Sequence, residues 1–138
     1  MGYDNRFHIV QKYHSELKEE INGKTYYPCE LIATYEACGM AWETEDAFRN
    51  KKKATDLTFL DTVYKGCDEY GRDLYDVEYI LKDPYGEPMT EFTVQEAIAI
   101  LREAERKEHY RRNTLLLGML LAIDEAEWGD IRVLHYGH

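Results

Sequence analysis

Cysteine is scarce in this chain. Cys29, Cys38 and Cys67 make an odd number with no Cys-x-x-Cys pair. That pattern speaks against a disulfide framework and against a four-cysteine zinc site. Long apolar runs are missing as well. Leu115 to Ile123 is the longest, Gly118 interrupts it, and a membrane helix needs ~18 residues. The opening Met1-Gly2-Tyr3-Asp4-Asn5-Arg6 has no apolar signal region, and Arg6 stands where myristoylation requires Ser or Thr. A cytoplasmic protein without membrane association is the expectation. There is no Gly-x-Ser-x-Gly, Walker loop, Gly-x-Gly-x-x-Gly or His-Glu-x-x-His. No catalytic residue, cofactor or metal is therefore expected.

Positive charge is in short supply. Lys and Arg number 17 against 27 Asp and Glu, a net charge of −10. Phosphate neutralisation dominates nucleic-acid affinity, so direct nucleic-acid binding is disfavoured. A solvated acidic surface is the plain reading; a surface for a basic protein partner, or one that mimics DNA, is the sharper one. Lys51-Lys52-Lys53 and the cluster Arg102, Arg106, Lys107, Arg111 and Arg112 are the local exceptions.

The length, 138 residues, fits one domain with a core of its own. The stretch Thr93 to Asp130 anchors that expectation. Thr93 and Glu96 fit a capping box, with Phe92 placed as a hydrophobic staple. Val94, Ala97, Ile98, Leu101 and Ala104 recur at helical spacing. Leu116, Met119, Leu120 and Ile123 make a second stripe, which Asn113-Thr114 are expected to cap. Two consecutive helices or one interrupted helix fit the pattern, with Gly129 near the final C′ position.

The rest reads as strands. Arg6 to Tyr13 alternates; Asn22-Gly23 predicts a type I′ hairpin turn. In the following strand Tyr27, Cys29, Leu31, Ala33 and Tyr35 are expected on one face. Thr44 is a candidate cap for a short helix carrying Ala47 and Phe48. Leu57 to Lys65 and Tyr75 to Lys82 are further strands, joined by a hairpin loop over Gly66 to Asp73. In the second, Tyr75, Val77, Tyr79 and Leu81 share a face, with Asp76, Glu78 and Lys82 expected towards water. Asp83-Pro84-Tyr85-Gly86 fits a type I turn, and Ile131 to Tyr136 a last strand. The predicted fold is α+β: an antiparallel sheet of about five strands, C-terminal helices on one face, and a final C-terminal strand.

Tyrosine is abundant, 12 against 4 Phe. It suits half-exposed sheets, and it also suits recognition surfaces. Tyr26, Tyr27, Tyr70 and Tyr85 are expected near turns and exposed. With the acids Asp68, Glu69, Asp124, Glu125 and Glu127 they form the candidate binding set. A metal or catalytic role for His8, His135, His138 or Cys67 is the alternative, and a structural homo-oligomer, such as a homodimer, with Leu115 to Ile123 at the subunit interface is a third reading.

Three segments carry a resemblance: Met1-Gly2-Tyr3-Asp4-Asn5-Arg6-Phe7-His8-Ile9-Val10, Tyr110-Arg111-Arg112, and Trp128-Gly129-Asp130-Ile131-Arg132-Val133-Leu134-His135-Tyr136-Gly137. The chain resembles small phage and prophage proteins of unassigned function. The resemblance transfers no site residue. It implies a mobile-element accessory protein, a class that includes inhibitors of host defence such as anti-CRISPR proteins.

Overall fold

The computed structural model describes residues 4–12, 18–38, 42–50, 54–82, 88–107 and 110–137. Tyr85 and its turn, Lys51 to Lys53, and His14, His109 and His138 lie outside those residues.

Among the described residues seven strands form one sheet: β1 (Asp4–Gln11), β2 (Glu19–Ile21), β3 (Lys24–Cys38), β4 (Leu57–Cys67), β5 (Asp73–Ile80), β6 (Thr90–Thr93) and β7 (Ile131–Gly137). The order is β5-β4-β3-β1-β7-β6, with β2 beside β3. Three described helices accompany it: α1 (Trp42–Asn50), α2 (Val94–Lys107) and α3 (Arg111–Ala126). The fold is α+β, as expected, but the sheet is mixed and has seven strands rather than about five. Tyr27 to Cys29 of β3 pair with Leu57 to Phe59 of β4 in parallel. The reason is α1, which carries the chain over from the end of β3; a crossover of this kind returns a strand in the same direction.

Local signals explain some element ends and not others. Asn22 and Gly23 both take positive φ, 53° and 80°, as a type I′ turn requires. Thr93 and Glu96 form the reciprocal capping box: the Glu96 amide donates to Thr93 Oγ1 at 3.1 Å, and the Thr93 amide to Glu96 Oε1 at 2.9 Å. The helical span divides into two, but Asn113 and Thr114 do not cap α3. Tyr110 stands at its N-cap without a side-chain capping bond to the helix, and Asn113 points inward, donating to Thr44 at 2.9 Å. The left-handed residue ending α3 is Glu127, φ 53°, two positions before the predicted glycine.

Two cores lie on opposite faces of the sheet. Phe7, Ile9, Ile131 and Val133 meet Phe48 of α1 and the apolar stripes of α2 and α3. On the other face Val10, Leu134, Tyr136, Leu57, Phe59 and Met89 pack together. This inner core exists because the sheet curls: Ala54 bridges Thr90, and the Thr55 amide donates to the Met89 carbonyl at 3.0 Å. The predicted single face of β3 is divided between the two cores. Val10 pairs with Leu31 and Ile9 with Ala33, a bulge at Ile32 that reverses the side-chain alternation. Tyr27, Cys29 and Leu31 therefore join the inner core, and Tyr35 the helical one.

An arm projecting from the sheet

β4 leaves β3 after three paired residues, yet β4 and β5 stay paired from Phe59↔Ile80 to Cys67↔Asp73. The result is a two-stranded arm. Its register places Leu60 opposite Tyr79, Thr62 opposite Val77 and Tyr64 opposite Tyr75. Paired residues share a face, so Leu60, Tyr64, Tyr75, Val77 and Tyr79 form one apolar surface. That surface is open: Leu60 is 50% exposed, Tyr64 54%, Tyr75 62% and Val77 58%. The rings of Tyr64 and Tyr75 meet edge to face at 5.6 Å. The other face pairs Asp61 with Glu78 and Val63 with Asp76.

The β5 alternation places Tyr75, Val77, Tyr79 and Leu81 on one face and Asp76, Glu78 and Lys82 towards water. In the structure Tyr75 and Val77 face solvent as well, because β5 is the outermost described strand and no described element covers it. Residues 57–80 carry six acids against Lys65 and Arg72. Both bases are engaged within the arm, Lys65 with Glu78 and Arg72 with Asp68.

At the tip, Asp68 organises its own loop. Its carboxylate accepts from the Tyr70 and Arg72 amides, each at 2.9 Å, and from Arg72 Nε at 2.8 Å. The Arg72 amide, followed by the Tyr70 amide, holds this carboxyl below its usual range. Tyr70 stands 75% exposed, with the Arg72 guanidinium 5.2 Å from its ring centre. Tyr64 Oη lies 3.2 Å from Cys67 Sγ and 3.4 Å from Asp73, and the bond to Cys67 leads in pushing its phenol up.

The candidate set is thus partly regrouped. Asp68, Glu69 and Tyr70 sit together at the tip. Tyr26 is buried, not exposed, and Tyr27 is half-buried against the inner core. Asp124, Glu125 and Glu127 are exposed at the end of α3. Asp124 and Glu127 line a groove of about 580 Å³ with Val94, Trp128, Asp130 and Arg132. This groove adjoins the Gln11 end of β1, where Gln11 Nε2 donates to the Trp128 carbonyl at 2.7 Å. Parallel pairing with β3 sends β4 the other way, so the tip and the groove lie at opposite ends of the strands. Leu60, Tyr64, Tyr75 and Val77 stand outside the candidate set; alternation marks Tyr75 and Val77 as sharing a face of β5 but does not tell that the face is open.

The two described histidines, His8 and His135, do not converge. His8 faces the inner core, 4.8 Å from the Phe59 ring and 2.9 Å from Thr34 Oγ1. Burial, then the charge of Arg6, lowers its pKa to about 4. His135 lies on the helical face among Phe7, Phe48 and Phe92. Its Nε2 is 2.9 Å from Asn5 Oδ1, and Asn5 Nδ2 donates to the buried Glu45. This chain of bonds satisfies polar groups that would otherwise be stranded in an apolar core. Among the described residues no group of three or more His, Cys, Asp and Glu is placed to hold a metal, and no helix is long and apolar enough to cross a membrane.

Fold and surface define a class in physical terms: an α+β protein carrying a projecting arm, apolar on one face and acidic on the other. No protein-family model matches the chain, and no curated protein or solved structure matches it either.

Proposed function

We propose that this is a non-enzymatic protein-binding module, and that the β4–β5 arm is its contact surface. One observation carries the reading: Leu60, Tyr64, Tyr75 and Val77 form a contiguous, solvent-facing apolar surface on regular strands. Exposed apolar patches of this kind mark interaction sites, and tyrosine is favoured at their centres. Charge supplies the character of the partner. The arm's acids outnumber its bases, and the whole chain carries −10, so the complementary surface is basic. With the resemblance to phage accessory proteins, this favours a host protein that itself binds nucleic acid, such as a defence nuclease whose groove the acidic arm occupies. The exposed acids at the end of α3 offer a second anionic region to the same kind of partner.

The test replaces Tyr75 and Val77 together with serine and measures binding to a panel of basic nucleic-acid enzymes in low and high salt. Both side chains are exposed, so circular dichroism and melting should match the parent. Parent binding should weaken with salt, and the double variant should lose roughly tenfold or more in affinity. Binding that the double variant retains in full overturns the reading, as does indifference of the parent to every enzyme tried.

A further inference from the structure

The arm presents backbone as well as side chains. The Val77 amide donates to the Asp76 carboxylate at 2.8 Å, and the Thr62 amide to Asp61 at 2.8 Å. Thr62 and Val77 face each other, so both amides point away from the ladder that joins β4 to β5. Antiparallel pairs alternate in this respect, and the main-chain groups of Tyr75 and Tyr79 therefore point outward with those of Val77. β4's matching edge looks towards β3, whereas β5 stands last in the order of the described strands. Its outer edge thus offers three amide–carbonyl sets on the strand whose side chains form the apolar surface.

We infer that the partner adds a β-strand to the outer edge of β5, and that this strand alternates apolar and basic residues. The inference rests on the arm being the contact surface and adds how contact is made. Residues opposite one another on neighbouring strands share a face. Side chains opposite Tyr75, Val77 and Tyr79 meet an apolar face; those opposite Asp76 and Glu78 meet carboxylates. The Asp76 carboxylate also acts as a gate. While it holds the Val77 amide, a neutral or acidic strand finds that donor occupied. A lysine or arginine draws the carboxylate to itself and releases the amide. A second copy of this chain would set Asp76 and Glu78 against their own kind, so the edge resists self-pairing while remaining open to a basic strand. The span Tyr75 to Tyr79 accommodates about five to seven residues, the ordinary length of a strand.

The experiment uses the full chain and the peptide Lys-Val-Lys-Tyr-Lys-Val-Lys as probe. Comparison peptides are the block isomer Lys-Lys-Lys-Lys-Val-Tyr-Val, the analogue with glutamate for lysine, and two analogues N-methylated on alternate sets of amides. Affinity is read by fluorescence anisotropy, and pairing by amide hydrogen exchange at Tyr75, Val77 and Tyr79. The alternating peptide should bind roughly tenfold tighter than the block isomer and slow exchange at those amides. The glutamate peptide should not bind. Methylation of one alternate set should abolish binding and the other be tolerated, the Val and Tyr set being the sensitive one for an antiparallel strand. Equal binding of alternating, block and methylated peptides, unchanged exchange at the three amides, or self-association through β5 in sedimentation overturns the inference. If it falls while the Tyr75 and Val77 double variant still loses its protein partner, the arm remains the contact surface and only strand addition is lost.

Discussion

The helical core and the β4–β5 arm use aromatic residues in opposite ways. Phe7, Phe48 and Phe92 are sealed between sheet and helices, and the fourth phenylalanine, Phe59, anchors the inner core; none is more than 1% exposed. The arm instead carries Tyr64, Tyr70 and Tyr75, all largely open. Both regions alternate apolar and polar residues along their strands. In β1 the alternation delivers Phe7 and Ile9 to one core and Val10 to the other. In β5 it delivers Tyr75 and Val77 to solvent. Alternation states which residues share a face; the neighbours of the strand decide whether that face is covered. Tyrosine tolerates exposure because its hydroxyl remains hydrated, which makes it suited to a surface that must stay soluble until a partner arrives.

The comparison breaks most sharply at Phe48. Its ring sits 5.1 Å from those of Phe7, Phe92 and His135, so Phe48→Ala should cost about 3–5 kcal/mol. Tyr75→Ser on the arm should stay within about 0.5 kcal/mol. Urea denaturation of the two variants tests the contrast, and a similar loss in both would show that the arm is part of the folded body.

A second test probes the inner core. His8 has a folded-state pKa of about 4 against 6.5 when unfolded, lowered chiefly by burial. The unfolded chain therefore binds the extra proton first, and stability should fall as pH drops from about 6.5 to about 4, by up to about 3 kcal/mol. Equilibrium denaturation across that window checks the sign, and His8→Gln should flatten the slope.

A smaller loss than those of the two cores sharpens the helical side alone. Thr93→Ala removes the acceptor for the Glu96 amide and should cost about 1 kcal/mol. Because α2 packs in the helical core, that loss should appear in the melting temperature and leave binding by the arm unchanged.

Much of this architecture was legible in the residues. The capping box at Thr93, the type I′ turn at Asn22-Gly23 and the stripes of α2 and α3 are local patterns, and each appears where its spacing places it. What escaped were effects of distant partners. Asn113 resembles a cap, but in the fold it donates to Thr44, 69 positions away. The bulge at Ile32 depends on β1, and the parallel β3–β4 pairing depends on where α1 sets the chain down. Exposure was legible only in part. Tyr70 and Glu69 were expected at an exposed turn and are found at the arm's tip, whereas Tyr26 is buried.

The residues by themselves determined the periodicities, the turn and the cap, because those arise from contacts within a few positions along the chain. They also determined the net charge of −10 and the excess of tyrosine over phenylalanine. Only the tertiary structure decided that β4 parts from β3 and that β5 lies at the sheet's end, so that an apolar face is left uncovered. Burial belongs to the assembled neighbours of a strand, and no single strand carries that information within itself.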